Sequence, residues 1–402
     1  MTEPGSMLLF MPWCRLDKAY RAEEIELMPY SSGVPNAIPG LDASMRSCVD
    51  RIMGMYKTIE GRPVDRAAVI RFAAKPPLST LDDDEITVVD ELITIACFTA
   101  LSKRQYFGVP DVYCNTDCFL FHAQRFTDAR SVAFSSHRRA GRVTDMGWSP
   151  REISITIPMN CHNVHRVTLD GELLAALVKQ REAGNKWGRW QNALSSFNQA
   201  NTDSSTVQHQ VEWVQLCSAF EHLLGAKSDA KDVAGRFTAA FQPVQDMLVS
   251  DATRRSPRSQ DETKPLRFEW MREFYRIRGD FAHGKLVTQQ PMTWNALEHL
   301  VLATIAFPLV VKSLLQQQGR YELSNDDRAQ IDIFERFADT TEFLRPPTDQ
   351  KGSNDTHWVR LFGKQRMAVV TSKGRDEAAR KLREKFPDFF RDSKDDTEGE
   401  DA

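Results

Sequence analysis

The sequence predicts an α+β protein in which a mixed α/β part comes first and an all-α part follows. Short apolar or alternating runs bounded by Pro, Gly, Asp and Ser indicate strands at 7–13, 67–72, 131–134 and 153–158. From Lys186 onward the apolar residues recur at helical spacing instead. The C-terminus differs again, because residues 358–385 hold nine Lys or Arg against three Asp or Glu, whereas 386–402 hold two against seven. We therefore predict three parts: an N-terminal α/β domain over 1–180, a helical bundle over 186–345, and a small charged extension over 346–402.

Composition narrows the class of protein. The chain has 402 residues, of which 41% are hydrophobic and 27% charged, enough to form two or three domains with cores of their own. A net charge of −3 excludes a uniformly basic nucleic-acid coat but leaves room for a local basic site. Seven cysteines, an odd number at irregular spacing, do not fit a disulfide framework. Since Glu3 is unlike a signal peptide and the apolar run 300–311 is shorter than the ~20 residues of a membrane span, we expect a reduced, cytoplasmic protein that contacts no membrane.

A long apolar helix is predicted over 82–102, with Thr80 or Asp82 as its N-terminal cap. Its first turn holds an acidic cluster, and carboxylates of this kind can bind Mg²⁺. Acidic residues at a helix start are also expected from the helix dipole, and successive side chains point in different directions. The capping interpretation is therefore preferred for this cluster, which consists of Asp82, Asp83, Asp84 and Glu85.

The second half predicts a series of helices. One of them, 266–284, has an apolar stripe spaced at four, three and four residues, formed by Trp270, Phe274, Ile277 and Phe281. Another is expected to end at Gly225, and a third to bend at Pro308. A polar loop is predicted over 250–264, and a hairpin and a basic helix over 358–371 and 375–386. The predicted helices of this half are 186–200, 211–225, 232–248, 266–284, 293–319 and 325–344.

A zinc site in the first half is one alternative source of activity, because thiolate and imidazole groups suit that ion. The candidate ligands are Cys114, Cys118, Cys161, His162 and His165, at looser spacings than those of known zinc modules. Motifs for dinucleotides, P-loops, zinc proteases and serine hydrolases do not occur in the sequence. The structural interpretation of these cysteines is that they are small residues of the hydrophobic core.

Three segments of the all-α part carry a resemblance. They are AFEHLLG at 219–225, AGRF at 234–237, and YRIRGDFAHGK at 275–285. Through them, residues 186–320 resemble the HEPN domains, specifically the Apea-like branch found in prokaryotic defence and toxin proteins. Arg278 and His283 fit the Arg-x4-to-6-His signature of that family, although Arg276 meets the same spacing. Gly279 follows Arg278, where the family commonly has a polar residue.

The resemblance implies metal-independent RNA cleavage with no cofactor. Histidine can move a proton at neutral pH, and arginine offers a rigid set of donors to a phosphoryl group. A homodimer is implied as well, because one histidine cannot be acid and base in the same step. The expected catalytic residues are Arg278 and His283, with Glu221 and Asp280 in support. The expected RNA contacts are Tyr275, Arg276, Lys285, Arg254, Arg255, Arg380 and Lys381.

The resulting hypothesis is an endoribonuclease that acts as a toxin or antiphage abortive-infection effector. Its N-terminal domain would sense a trigger or bind a partner protein, and its acidic tail, 387–402, would compete with RNA for a basic cleft. The alternative is a catalytically silent bundle that dimerises and docks a partner. Each of these residues also has a purely structural interpretation. Glu221 and Asp280 are common on helix surfaces, and a His followed by Gly, as at His283 and Gly284, is a common way for a helix to end.

Overall fold

The computed structural model describes the chain over 6–34, 38–76, 78–103, 114–126, 132–138, 141–148, 154–161, 166–184, 186–204, 206–227, 229–241, 247–254, 262–282 and 292–339. The fold is of the mixed α+β class, as the sequence predicts. All described residues belong to one compact unit that spans 1–104 and 110–341. The predicted domain bounds at 180, 186 and 345 stay predictions.

A seven-stranded antiparallel sheet forms the first part, in the order β2-β3-β5-β1-β6-β7-β8. Strand β1 lies in the middle of this order and is paired along both of its edges. All five of its residues are apolar and buried, as expected for an inner strand. Leu9 pairs with Ile70 on one side and with Ala123 on the other. The strands are β1 Met7–Met11, β2 Tyr20–Ala22, β3 Ile25–Ser31, β5 Arg66–Phe72, β6 His122–Phe126, β7 Val132–Arg138 and β8 Gly141–Trp148.

A short parallel ribbon accompanies the sheet, formed by β4 (Tyr56–Lys57) and β9 (Ile155–Thr156). The four strands predicted from the sequence correspond to β1, β5, β7 and β9, although β9 is much shorter than expected. Strands β2, β3, β6 and β8 were not predicted. Their residues mix polar and apolar types without a clean two-residue period, and the pairing of neighbouring strands decides their conformation.

The helices confirm most of the predicted series. Helix α2 begins after Asp82, whose side chain accepts a hydrogen bond from the Glu85 N–H at 2.8 Å, while the Glu85 side chain accepts one from the Asp82 N–H at 3.1 Å. This capping box accounts for the acidic cluster without a metal. Helices α1 and α3 were not predicted. The helices are α1 Ala43–Met53, α2 Asp83–Leu101, α3 Gly171–Glu182, α4 Trp187–Gln199, α5 His209–Leu224, α6 Ala230–Ala240, α7 Leu266–Ala282, α8 Ala296–Gln317 and α9 Asn325–Asp339.

Helix α2 belongs to the helical core, although it comes from the first half of the chain. The ring of Phe98 packs edge-on against Phe197 of α4 at 5.4 Å and against Phe307 of α8 at 5.9 Å. The Asn198 side chain donates a hydrogen bond to the Thr94 carbonyl at 2.9 Å. Helix α2 therefore packs against helices of the bundle, although it lies between strands β5 and β6 of the sheet along the chain.

Helix α8 is a largely buried helix of the bundle and passes through Pro308. It is long and apolar enough to cross a membrane, but 78% of its most apolar window is buried inside the protein. Its Lys312 ammonium lies 3.0 Å from Asp170 and 2.7 Å from Asp327, and all three side chains are nearly inaccessible. A helix that buries a paired charge on its protein-facing side fits a core helix.

Some predicted elements lie outside the described residues. They are the loop centre at 255–261, the hairpin at 358–371, the basic helix at 375–386 and the acidic tail. The predictions for these segments stay predictions. The α9 prediction is confirmed over 325–339.

Candidate functional site

The candidate site lies on α7, whose apolar stripe fixes the orientation of the helix. Trp270, Phe274 and Ile277 are 0 to 2% exposed and face the core, whereas the side chains of Arg272, Arg276 and Arg278 are only partly buried. Phe281 completes the stripe as a half-buried residue that contacts Trp213 at 5.3 Å. The spacing predicted from the sequence is therefore confirmed.

Helix α5 packs beside α7 and fixes the register between the two helices. The indole of Trp213 stacks on Phe274 with ring centroids 5.0 Å apart, and its N–H donates a hydrogen bond to the Phe274 carbonyl at 2.9 Å. Because side chains four residues apart share a helix face, the rest of that α5 face follows the Trp213 contact along α7. This register brings Glu221 opposite the second half of α7.

Three side chains meet at that point. The Tyr275 hydroxyl donates a hydrogen bond to Glu221 Oε2 at 2.7 Å, and Arg278 Nη1 donates to the same oxygen at 2.8 Å. Nη1 also donates to the Tyr275 oxygen at 2.6 Å, with the guanidinium carbon 5.2 Å from the centre of the tyrosine ring. We call Glu221, Tyr275 and Arg278 the carboxylate–tyrosine–arginine cluster.

The cluster is anchored on one side and open on the other. Tyr275 is 6% exposed, while the Arg278 and Glu221 side chains are 29% and 21% exposed. Among the residues that the structure describes, only Nη1 of the Arg278 guanidinium has a hydrogen-bond partner. Its remaining N–H groups can donate to an anion that approaches from solvent, while the contacts through Nη1 keep the guanidinium plane fixed.

Arg276 belongs to a different face of α7. Its Nη1 lies 3.8 Å from Asp280 Oδ2, in an ion pair between residues four apart. Two residues along a helix correspond to a rotation of about 200°, so Arg276 and Arg278 face different directions. The structure thus brings Arg278 together with Glu221 and Tyr275, and pairs Asp280 with Arg276 instead.

Several predicted site residues lie outside the described residues. His283 and Lys285 come after Ala282, which is the last described residue of α7. Arg255 comes after Arg254, where another described range ends, and Arg380 and Lys381 come after 339, where the last one ends. The predicted Arg278–His283 arrangement therefore stays a prediction.

Arg254 has a role in the fold. Its guanidinium makes two hydrogen bonds to the Glu298 carboxylate, at 2.7 and 3.1 Å, and one to the Thr293 carbonyl at 2.8 Å. It also lies over the Trp294 ring, and its side chain is only 14% exposed. These contacts fasten the chain before 255 to the start of α8. These donors are used within the fold, and the predicted contact of Arg254 with RNA stays a prediction.

The other two segments that carry the resemblance meet at the end of α5. Gly225 has φ +58°, and a Cβ there would lie 2.6 Å from the Arg189 guanidinium. Arg189 donates to the carbonyls of His222 and Leu223 at 3.2 and 2.8 Å, and Arg236 donates to that of Leu224 at 3.4 Å. Cations here satisfy the exposed carbonyls of a helix end and complement its dipole. AFEHLLG and AGRF therefore have a structural function beside any catalytic one.

A second polar cluster lies behind α7, and no sequence prediction identified it. His299 of α8 is fully buried among Trp213, Trp270, Phe274 and Trp294, and its Nε2 lies 3.1 Å from Glu273 Oε1. Burial lowers the pKa of His299, so the imidazole is neutral with its Nε2–H directed at the carboxylate. The sequence feature that could have indicated this cluster is the pair of adjacent ionisable residues, Glu298 and His299, near the start of a mostly apolar helix.

Glu273 remains ionised in this buried position. Burial raises the pKa of its carboxyl, but hydrogen bonds from His299, the Thr293 hydroxyl and the Trp294 N–H outweigh that effect and lower it. The Thr293 N–H donates a further bond at 2.8 Å. This buried pair connects α7 to the start of α8 and supports the helix that carries the candidate site.

The cysteines of the zinc alternative are also brought together in part. Cys118 and Cys161 have sulfur atoms 3.9 Å apart, and both thiols are directed at the Asn115 side-chain oxygen, at 3.3 and 3.5 Å. The hydrogen bond to Cys161 and burial raise the pKa of the Cys118 thiol. No group of three or more His, Cys, Asp or Glu with metal-binding geometry occurs among the described residues, a set that leaves out His162 and His165.

Comparison of the chain with protein-family models, with curated proteins and with solved structures found no match. The resemblance to the HEPN domains therefore depends on the motif residues alone. The described geometry adds one contact between two of those motifs, since Glu221 of AFEHLLG binds Arg278 of YRIRGDFAHGK.

Proposed function

We propose that this protein is a metal-independent endoribonuclease of the HEPN type, and that it acts as a toxin or antiphage effector in the cytoplasm. The observation that carries the proposal is the carboxylate–tyrosine–arginine cluster, which holds the partly exposed Arg278 through its Nη1 alone among the described residues. Arg278 precedes His283 by five residues, the spacing that motivated the resemblance.

In the proposed reaction the 2′-hydroxyl of the RNA attacks the adjacent phosphorus, and the bond to the 5′-oxygen breaks. His283 takes the proton from the 2′-hydroxyl, and the partner subunit's His283 gives one to the departing 5′-oxygen. The products carry a 2′,3′-cyclic phosphate and a 5′-hydroxyl. DNA lacks the nucleophile and is not cut.

Arg278 stabilises the negative charge that grows on the phosphoryl oxygens. The fixed position of its guanidinium matters, because a donor that is already oriented loses little entropy when it binds the transition state. Glu221 and Tyr275 act as positioning residues for Arg278. A two-fold dimer that pairs the α7 helices would bring two such arginines and two histidines to one phosphate.

The test is cleavage of total cellular RNA in EDTA by the full chain, with protein concentration varied. His283→Ala should lose at least about 10²-fold in rate, since general acid–base catalysis contributes about 10²–10⁴-fold. Arg278→Ala should lose about 10²–10³-fold, as expected for one lost donor to the transition state. His209→Ala is the matched control, because His209 is a surface histidine with its side chain 66% exposed.

Comparison of Arg278→Ala with Arg276→Ala separates the two arginines that meet the spacing. Because only Arg278 is held by Glu221 and Tyr275, we expect the larger loss at Arg278. Equal losses, or a larger loss at Arg276, would contradict the assignment. Glu221→Gln should lower kcat more than it raises KM, since it would loosen Arg278 without removing it.

The alternative is a silent bundle that dimerises and docks a partner. One observation favours it: Arg278 already has an ionic partner in Glu221, and an arginine in such a pair can serve the fold alone. A dimer of the wild-type chain that does not cut RNA at any concentration tested would favour the scaffold over an enzyme that is active without a trigger.

A further inference from the structure

Two buried cysteines from distant parts of the chain lie side by side. Cys118 belongs to the short 3₁₀ helix Thr116–Phe119, and Cys161 ends the 3₁₀ helix Met159–Cys161. Both are free thiols, and their sulfur atoms are 3.9 Å apart although 43 positions separate the two residues. Sulfurs at this distance need to approach by only about 2 Å to reach the bond length of a disulfide.

A shared acceptor orients the two thiols. The side-chain oxygen of Asn115 lies 3.3 Å from the Cys118 sulfur and 3.5 Å from the Cys161 sulfur. Asn115 is fully buried, and its side-chain N–H donates to the Asn160 carbonyl at 2.7 Å, which fixes the direction of its oxygen. Both cysteine side chains therefore turn toward one point and toward each other.

The two short 3₁₀ helices are held together by hydrogen bonds that do not involve sulfur. The Asn160 side chain donates to Asp117 Oδ2 at 2.8 Å and to the Thr202 carbonyl. The Thr116 hydroxyl donates to the Asn201 carbonyl at 3.1 Å. Each helix is thus attached to the segment that follows α4, and the fold itself keeps the two cysteines adjacent.

The two thiols differ in their access to solvent. Cys161 is among the residues that line an open cleft of about 520 Å³, but only 2% of it is exposed, so access is limited to small molecules. Cys118 does not line this cleft and is 0% exposed. The hydrogen bond to Cys161 and burial raise the pKa of the Cys118 thiol, so Cys118 keeps its proton at neutral pH. Cys161 is therefore the residue that an oxidant from solvent meets first.

We propose that Cys118 and Cys161 form a redox modification site, which hydrogen peroxide converts into a disulfide. The Cys161 sulfur attacks one peroxide oxygen and the O–O bond breaks; the leaving hydroxide takes the thiol proton, which gives a sulfenic acid and water. The Cys118 sulfur then attacks the Cys161 sulfur, the S–O bond breaks, and the hydroxide leaves as water with the Cys118 proton. The two thiols lose two electrons in total, and one peroxide is reduced to two waters.

The disulfide would tie the two 3₁₀ helices together covalently and close a loop of 43 positions. A cross-link of this kind restricts the unfolded chain, so the oxidised protein should unfold at a higher temperature, and dithiothreitol should remove the increase. The inference does not depend on the nuclease proposal, since it shares no residue with the carboxylate–tyrosine–arginine cluster.

The test is treatment of the full reduced chain with hydrogen peroxide, followed by denaturation, alkylation of free thiols and peptide mass spectrometry. We expect two of the seven cysteines to escape alkylation, and a pair of peptides joined through Cys118 and Cys161. Absence of a cross-linked peptide, or a cross-link through other cysteines, overturns the proposal. Oxidised glutathione must place its own, bulkier sulfur against Cys161, so it should react at least about tenfold more slowly. Equal rates for the two oxidants would overturn the limited access assigned to Cys161.

Variants test the order of the two steps. Cys118→Ala should leave Cys161 as a sulfenic acid, which dimedone labels after denaturation, whereas Cys161→Ala should leave Cys118 unlabelled. Cys48→Ala is the matched control, because Cys48 is a buried cysteine of α1 that is slightly more exposed, at 6%, and its loss should leave the cross-link intact. Circular dichroism confirms folding of each variant. Labelling of Cys118 in the Cys161→Ala protein would refute the assigned order, and loss of the cross-link in Cys48→Ala would refute the pairing.

Discussion

A buried ion pair fixes the start of α7, and with it the position of the candidate site. Arg267 Nε lies 2.7 Å from Glu335 Oε1 of α9, and the two side chains are 1% and 3% exposed. The Arg267 N–H also donates to that oxygen at 3.1 Å, and the Met247 N–H donates to Oε2. Glu335→Gln keeps the size of the side chain but removes its charge and replaces one acceptor with a donor.

The expected cost is about 3–5 kcal/mol, because Arg267 would be left charged, buried and without its counter-ion. That is a large part of the 5–15 kcal/mol by which domains are usually stable. Glu221→Gln breaks another pair that involves α7, the one between Glu221 of α5 and Arg278. The Arg278 and Glu221 side chains are 29% and 21% exposed, so this pair should contribute only about 0.2–1 kcal/mol to the free energy of unfolding. Burial therefore predicts a difference of at least 2 kcal/mol between two identical substitutions.

The assay is urea denaturation followed by tryptophan fluorescence, with Trp270 and Trp213 buried in the same bundle. Glu322→Gln is the surface control and should change the free energy of unfolding by less than 0.5 kcal/mol. Arg267→Met combined with Glu335→Leu should recover most of the loss, since apolar side chains of similar volume replace buried pairs well. A loss at Glu335→Gln no larger than at Glu322→Gln would refute the reasoning.

Two further predictions concern the supports of the site. Gly225→Ala should lower the free energy of unfolding by about 1–2 kcal/mol, because φ is +58° and the new Cβ would displace the Arg189 guanidinium from the α5 carbonyls. Gly235→Ala lies inside α6 with open space around it and should raise the free energy of unfolding by about 0.5–1 kcal/mol. Thermal unfolding measures both changes, and equal effects would contradict the account. Stability should fall as pH drops below about 6.5, because the pKa of His299 is lowered by burial and the unfolded chain takes up a proton that the folded one refuses. It should fall further below about 4.3, where the lowered pKa of Glu273 adds the same effect. Urea titrations at pH 7 and 5 should show a smaller difference for His299→Gln than for wild type, and an unchanged difference would exclude His299 as the source.

Local signals in the sequence were enough for the elements with strong patterns. Asp82 and Glu85 marked the start of α2, Gly225 marked the end of α5, and the Trp270, Phe274 and Ile277 stripe fixed which face of α7 is buried. Each of these features depends on residues within about one or two turns, so spacing along the chain is sufficient to predict it. Helices α1 and α3 carry the same kind of signal, since Asp42 and Asp170 cap their first turns, so the sequence could have revealed both of them. The short β2, β3, β6 and β8 strands carry no comparable local signal.

The sequence by itself thus determined the α+β class and most helices, because periodicity and capping act over a few residues, while the choice of Arg276 and Arg278 for testing came from the family resemblance. Only the tertiary structure decided which arginine faces Glu221, since that depends on the register set by Trp213 between α5 and α7. It also decided that Arg254 holds Glu298, that His299 lies buried against Glu273, and that Cys118 lies beside Cys161. These partners are from 26 to about 60 residues apart along the chain, and long-range packing, which one sequence does not encode locally, brings them together.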